Sequence, residues 1–210
     1  KKQAAKYDRR DPNHEFGTNP CSEIILRPYQ FCNLTECVVR ATDTLETLTE
    51  KVKLATILGT IQSTMTRFPY LRKIWTKNTE EERLLGVSLT GIMDNPLTTS
   101  KNKGLDSTLE HLRQIAVATN AIWADKLGIP RSTAITCVKP SGTVSQLVDS
   151  ASGIHARHSN YYIRTVRGDN KDSLTQFMKD QGVPNSPCVM KGDTTTVFSF
   201  PVKSPPKSVT

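Results

Sequence analysis

Asn19-Pro20-Cys21-Ser22-Glu23 sets an amide, a thiol and a carboxylate on alternate residues. In an extended segment alternate side chains point the same way, so all three could face one small substrate. A thiol beside a carboxylate suits a site that needs both a sulfur centre and a proton acceptor. A second thiol, Cys32, follows beyond a Pro28-Tyr29 stretch that could turn the chain back. Two thiols on one folded-back loop would serve as a redox pair, or as a radical site with a nearby reductant. The plainer reading is that a cysteine inside an intracellular protein is a small buried apolar residue. Zinc fits poorly, because no C-x-x-C pair and no histidine stands beside these thiols.

A second candidate is the turn Pro140-Ser141-Gly142-Thr143-Val144, which follows the strand-like Ala134 to Val138 and precedes a helix start. Gly142 would let the backbone approach an anion closely, where free amides at a helix start can point at it. Ser141, Thr143 and Ser145 add hydroxyl donors. Pro-Ser-Gly is equally an ordinary turn. His155 and His158 form an H-x-x-H pair with no third ligand nearby, so no metal is assigned. Tyr161 and Tyr162 read as strand residues. Cys37 and Cys188 have no partner pattern and read as structural or incidental, and Cys137 as strand core.

The elements that must hold these groups come from periodicity. A helix is expected from Asp43, with Asp43 and Glu46 as a capping-box-like start. Its apolar face would be Leu45, Leu48, Val52, Ala55, Leu58, Ile61 and Met65, ending at Pro69. A second helix is expected from about Thr79 to Asn95-Pro96, with Glu80, Glu81 and Glu82 in its first turn. A third fits Asp106 to Leu127, with Leu109, Leu112, Ile115, Ala116 and Ile122 on one face and Gly128 and Pro130 as its stop. Strands fit Ala134 to Val138, Tyr161 to Val166 and Thr196 to Phe200, and a helix fits Asp172 to Gln181. Long helices alternating with short strands mean an α/β fold.

The chain has 210 residues, a net charge of +8 and five cysteines. The charge favours anionic partners. A nucleotide polyphosphate satisfies it, as does a solvated basic surface, and no basic run interleaved with aromatics points to nucleic acid. An odd number of cysteines without framework spacing argues against a secreted disulfide scaffold. No signal-peptide pattern and no bilayer-length apolar run is present, so a cytoplasmic setting without membrane contact is expected. The chain starts at Lys1 rather than Met, and KSPPKSVT follows directly on a strand, which reads as a piece of a longer protein.

Two long motifs, NPCSEIILRPYQFCNL and KPSGTVSQLVDSASGIHARHSNYYIRTVR, closely resemble the catalytic chain of the adenosylcobalamin-dependent (class II) ribonucleotide reductases. The resemblance is nearest to the monomeric ribonucleoside-triphosphate reductase type. It extends over nearly the whole chain, including ERLLGVSLTGIMDN and AITCVKPSG. It implies the later part of a ten-stranded α/β barrel with a central finger loop, at about residues 14–37, and residues 1–210 as a partial catalytic barrel domain. Cys21 would be the thiyl radical that takes the 3′-hydrogen of the ribose. Glu23 would accept the 3′-hydroxyl proton, Asn19 would hold the sugar hydroxyls, and Cys32 would be one of the two reducing thiols. The turn at about 139–145, Pro140 to Val144, would hold the substrate phosphates through backbone amides. The implied partners are a ribonucleoside tri- or diphosphate, a thioredoxin-type reductant and the rest of the reductase chain. The other reducing thiol, the effector site and much of the cobalamin surface would lie upstream, so the segment alone is expected to be inactive. Two alternatives stand beside this: a class I-type reductase with a metal-containing partner subunit, and a non-enzymatic basic binding module.

Overall fold

In a computed structural model describing residues 1–210, contacts divide the chain into two units, residues 1–156 with 207–209, and residues 157–206 with 210. The first opens with a short helix, α1 (Lys2–Ala5), and a small hairpin of β1 (Gly17–Thr18) and β2 (Ile25–Leu26). Then come β3 (Asn33–Val38), α2 (Leu45–Gln62), α3 (Lys73–Glu82) and β4 (Leu85–Thr90). β3 and β4 pair in parallel, Asn33 opposite Leu85 through Val38 opposite Thr90. A parallel pair needs a crossover, and here α2 and α3 supply it.

Successive strand residues point to opposite faces, so this pair has two different sides. One side carries Cys37, Leu85 and Val87. With Val39 and Ile135 they pack against Leu48, Val52 and Ala55 of α2 and against Leu112 and Ala116 of α4 (Leu105–Leu127). The other side carries Leu34 opposite Gly86 and Glu36 opposite Ser88. Residues 134–137 run beside β4: Leu85 N–H donates to Ala134 O and Val87 N–H to Ile135 O, and Cys137 N–H donates to Val87 O. Only Thr136 forms a strand bridge, with Val87, so the strand expected over Ala134 to Val138 is reduced to that contact.

α4 follows its expected bounds and stops at Gly128, which is left-handed with φ +66°. Two members of its expected apolar face, Leu109 and Ile122, are exposed. α2 is capped by Thr44, in a reciprocal box with Thr47, rather than by Asp43. Asp43 instead accepts from the Arg40 amide, Thr47 Oγ1 and Lys51 Nζ. The α2 helix ends at Gln62, before Pro69. Its buried face is Leu48, Val52, Ala55, Thr56, Gly59 and Thr60, while Leu58, Ile61 and Met65 face solvent. The threonines bury because each hydroxyl bonds back to its own helix, Thr56 to Val52 O and Thr60 to Thr56 O, both at 2.7 Å.

The helix expected from Thr79 to Asn95 is a strand over Leu85 to Thr90, about a third of its length. The glutamates close α3 instead of opening a helix, and Arg83, left-handed at φ +45°, ends it. Leu85 to Thr90 then forms β4, buried on both sides.

The second unit has β5 (Tyr161–Asp169), α6 (Ser173–Asp180), β6 (Asn185–Pro187) and β7 (Thr195–Lys203), in an antiparallel sheet of order β5-β7-β6. Tyr161 and Tyr162 lie in β5, as strand residues. None of the sheets closes on itself, so the fold is mixed α/β and the segment is not itself a barrel.

Candidate functional site

Asn19 to Glu23 is the tip of the β1–β2 hairpin, and this corrects the expected extended run. Ser22 N–H donates to Asn19 O at 2.9 Å, Asn19 N–H to Ile24 O at 3.3 Å, and Ile24 N–H to Asn19 Oδ1 at 3.1 Å. The Asn19 side-chain oxygen is thus committed to closing the loop. Ser22 is left-handed at φ +60°, an uncommon conformation for a residue with a Cβ, which costs backbone energy at the tip. Cys21 is exposed there. Glu23 points inward, and its Oε2 is buried without a hydrogen-bond partner.

The base of the hairpin is held by a buried polar cluster that sequence reasoning missed. Arg10 donates from Nε and Nη2 to both carboxylate oxygens of Glu82 at 2.7 Å, and from Nη1 to Ile25 O at 2.6 Å. Gln30 accepts from the Arg27 amide and from Arg10 Nη2, and donates to Asn78 O and to Glu82. Burial works against the Glu82 charge, yet the bonds from Arg10 and Gln30 hold its carboxyl below the usual range. The chain does turn back at Pro28-Tyr29, with Tyr29 left-handed at φ +57°. That return brings Cys32 to the start of β3, in phase with Leu34 and Glu36.

Cys32 therefore belongs to the non-core side of β3 and β4. Burial and then the Glu23 charge raise its thiol above the ordinary value. Cys137, expected as strand core, is half-buried and belongs to the same group. Burial pushes it up to about 12, with the Glu23 carboxylate and the Cys32 sulfur adding to the shift. Gly86 makes the space for this group. A Cβ there would lie 2.4 Å from Leu34 Cδ2, 3.0 Å from Cys137 Sγ and 3.1 Å from Ile24 Cδ1. Glu23, Cys32 and Cys137 thus interact with one another, Cys137 lying beside a strand position where a Cβ would press on Leu34 and Ile24.

The second candidate, Pro140 to Val144, is anchored at the carboxyl end of β4, where open parallel sheets place their ligands. The residues after the turn are tied to that end. Gly91 N–H donates to Ala151 O at 2.8 Å, Gly153 N–H to Thr90 Oγ1 at 2.9 Å, and Ala151 N–H to Asp94 Oδ2 at 2.8 Å. Ser145 Oγ closes the turn on Gly142 O at 2.9 Å. Gly142 is left-handed at φ +58°, which is why glycine stands there. A Cβ on Gly142 would meet no protein atom within 4 Å, so the space over the turn is open. Ser141 is buried with its Oγ unpartnered. The helix that follows, α5 (Val144–Leu147), is a single turn.

No family model matches the chain. Curated relatives do. The adenosylcobalamin-dependent ribonucleoside-triphosphate reductase of Lactobacillus gasseri is 30% identical over 213 residues, covering 90% of this chain and 28% of the relative. The protein of the same name from Euglena gracilis is 30% identical over 200 residues, covering 94% of this chain and 26% of its own. A crystal structure of a B12-dependent (class II) ribonucleotide reductase superposes with a TM-score of 0.76 at 26% identity, over 92% of this chain and 30% of that one. The chain thus spans less than a third of the length of these proteins. They favour neither a metal-containing partner subunit nor a binding module.

Proposed function

Given that this chain is homologous to one segment of the adenosylcobalamin-dependent (class II) ribonucleotide reductases, we propose that it forms the substrate-reducing part of such an enzyme, converting ribonucleotides to 2′-deoxyribonucleotides. The observation that carries this is the pairing of homology over about 90% of the chain with a hairpin whose tip exposes Cys21 between Asn19, which closes the loop, and Glu23, which turns inward. The exposed tip suits a finger that enters a cavity built by the remainder of a longer protein. A closed ten-stranded barrel would need that remainder too.

Adenosylcobalamin, when bound, would supply radical chemistry, and Cys21 would be the residue of this chain that carries the radical to the substrate. The fit to this chain is a soft sulfur open on one side at the tip. The Cys21 sulfur radical takes the 3′-hydrogen, forming S–H and leaving a carbon radical on the ribose. Glu23 accepts the 3′-hydroxyl proton, and the unpartnered Oε2 is the free acceptor for it. The 2′-hydroxyl then leaves as water, taking a proton from a reducing thiol. Cys32 and a second thiol outside this segment give two electrons and two protons and become a disulfide. Cys21 returns its hydrogen to C3′, and Glu23 returns its proton to the 3′-oxygen. The raised thiol of Cys32 suits this role, because it arrives protonated at neutral pH. Asn19, with its oxygen engaged, offers its amide N–H groups to the sugar.

Pro140 to Val144 would cradle the tri- or diphosphate, chiefly through amides of a turn with open space over Gly142. A thioredoxin-type reductant would regenerate the dithiol, and free thiols fit a reducing cytoplasmic setting. No helix is long and apolar enough to cross a membrane. The test is Cys21→Ser in the complete reductase. Turnover should vanish, because a serine O–H bond is too strong to shuttle hydrogen, while nucleotide affinity stays within about twofold. Loss of binding in parallel would give Cys21 a structural role instead. Turnover independent of adenosylcobalamin would overturn the class assignment.

A further inference from the structure

A cavity of about 370 Å³ opens between α4 and the segment that follows α1. Tyr7 and Arg9 line it on one side, and Arg113, Gln114, Val117 and Ala121 of α4 on the other. Positive charge is concentrated around the Tyr7 ring. The Arg113 guanidinium lies 4.5 Å from the ring centre, Lys6 Nζ 5.1 Å and the Arg9 guanidinium 5.2 Å. The ring attracts each cation, but it carries no net charge to offset their mutual repulsion.

The two arginines are placed differently. Arg113 has a carboxylate: its Nε and Nη2 donate to Glu110 at 2.8 and 2.6 Å, and these bonds strengthen its hold on its proton. Its Nη1 lies outside that fork. For Arg9, burial and then the Arg113 charge weaken the hold on the proton, and Tyr7 alone works the other way. Arg9 Nε is also buried without a hydrogen-bond partner. Buried polar atoms are nearly always satisfied, so an orphan donor on a cation, beside a second cation and at the wall of an open cavity, marks the place of an anion. Glu110 acts on Arg113 first and on Lys6 last, so one carboxylate stands against three cations. Paired guanidinium groups match the oxygens of a phosphate, and their excess charge suits a dianion.

We propose that Arg9 and Arg113 form a phosphate-binding site of their own, built from none of the residues of the Pro140 to Val144 turn, for a phosphate group carried by a nucleotide or by free polyphosphate. The bound phosphate joins the segment leading into the hairpin to α4, next to Arg10, whose bonds hold the hairpin base.

The experiment reads Arg9 itself. The complete reductase is treated with phenylglyoxal at constant ionic strength, and modification is followed peptide by peptide by mass spectrometry. Tripolyphosphate, at about ten times its dissociation constant, should slow modification of Arg9 about tenfold relative to potassium chloride. Arg131, paired with Asp125 at the far end of α4, should keep its rate. Arg113→Met should raise the half-protecting concentration about tenfold, the loss of one bond to a charged group. Ala118→Glu sets a carboxylate at an exposed position of the cavity wall and should remove the protection. Equal protection by chloride, or an unchanged half-protecting concentration in Arg113→Met, overturns the site. Should Arg113→Met fail to fold, Ala118→Glu decides by itself. ATP that protects at far lower concentration than tripolyphosphate assigns the site to a nucleotide seated on Val117 and Ala121, and equal potency assigns it to free polyphosphate. Protection by either that survives Ala118→Glu arises elsewhere and overturns the proposal.

Discussion

The two sides of the β3–β4 pair make an instructive contrast. On one side Cys37, Leu85 and Val87 lie under α2 and α4 in an apolar core. On the other, the same strands offer Cys32, Leu34, Glu36, Gly86 and Ser88 beside Glu23 and Cys137. The core side is held by removal of carbon from water. The chemical side is held by polar anchors, above all Arg10 on Glu82, and is kept open by a missing side chain. One parallel pair thus builds stability on one face and leaves the other free for chemistry, by alternation alone.

The sharpest way to break this contrast is to cut the anchor. Glu82→Gln leaves Arg10 buried without its counter-charge and should cost about 3–5 kcal/mol, measured by urea unfolding. Acid should act on the same bond. The folded carboxyl of Glu82 is lowered from its ordinary 4.5, so its stabilisation is present above that value and is lost as pH falls through the folded one. A hairpin base that stays closed in acid, judged by hydrogen-exchange protection of the Ile24 amide, would contradict the assignment.

On the core side, Leu85→Ala should cost about 2–5 kcal/mol with no dependence on pH over the same range. A pH-dependent cost there would blur the distinction. Gly86→Ala tests the open side. Its methyl would clash with Leu34 and should cost about 1–3 kcal/mol, and Leu34→Ala in the same chain should recover part of it. Additive losses would place the two residues out of contact. The smallest effect expected is Ser141→Ala, about 1 kcal/mol or less in nucleotide binding, one hydroxyl among several amides. The thiols give a final comparison without a stability cost. Exposed Cys21 should alkylate first, and Cys37, pushed up to about 12 by burial, should lag behind it.

The sequence shows α4 within a residue of its bounds because its pattern is long and Gly128 ends it. It misplaces the helix around Glu80 to Glu82, since acids suit a first turn by dipole, yet Glu82 is fixed from 72 residues away by Arg10. No local pattern carries that information. The same holds for Cys137, which reaches Glu23 only through tertiary packing. Cys21 and Glu23 were legible as a motif, but not the turn they occupy, because Ser22 takes a conformation its residue type disfavours.

The 72-residue span between Arg10 and Glu82 also sets an order of assembly. Closing so long a loop is entropically slow, and the reward arrives only after the intervening helices have docked. The hairpin should therefore be the last part of this unit to form and the first to open. In a refolding experiment pulsed with deuterium, the amide of Ile24 should gain protection after those of Leu85 and Val87. The reverse order would mean that the finger organises the sheet, instead of being organised by it.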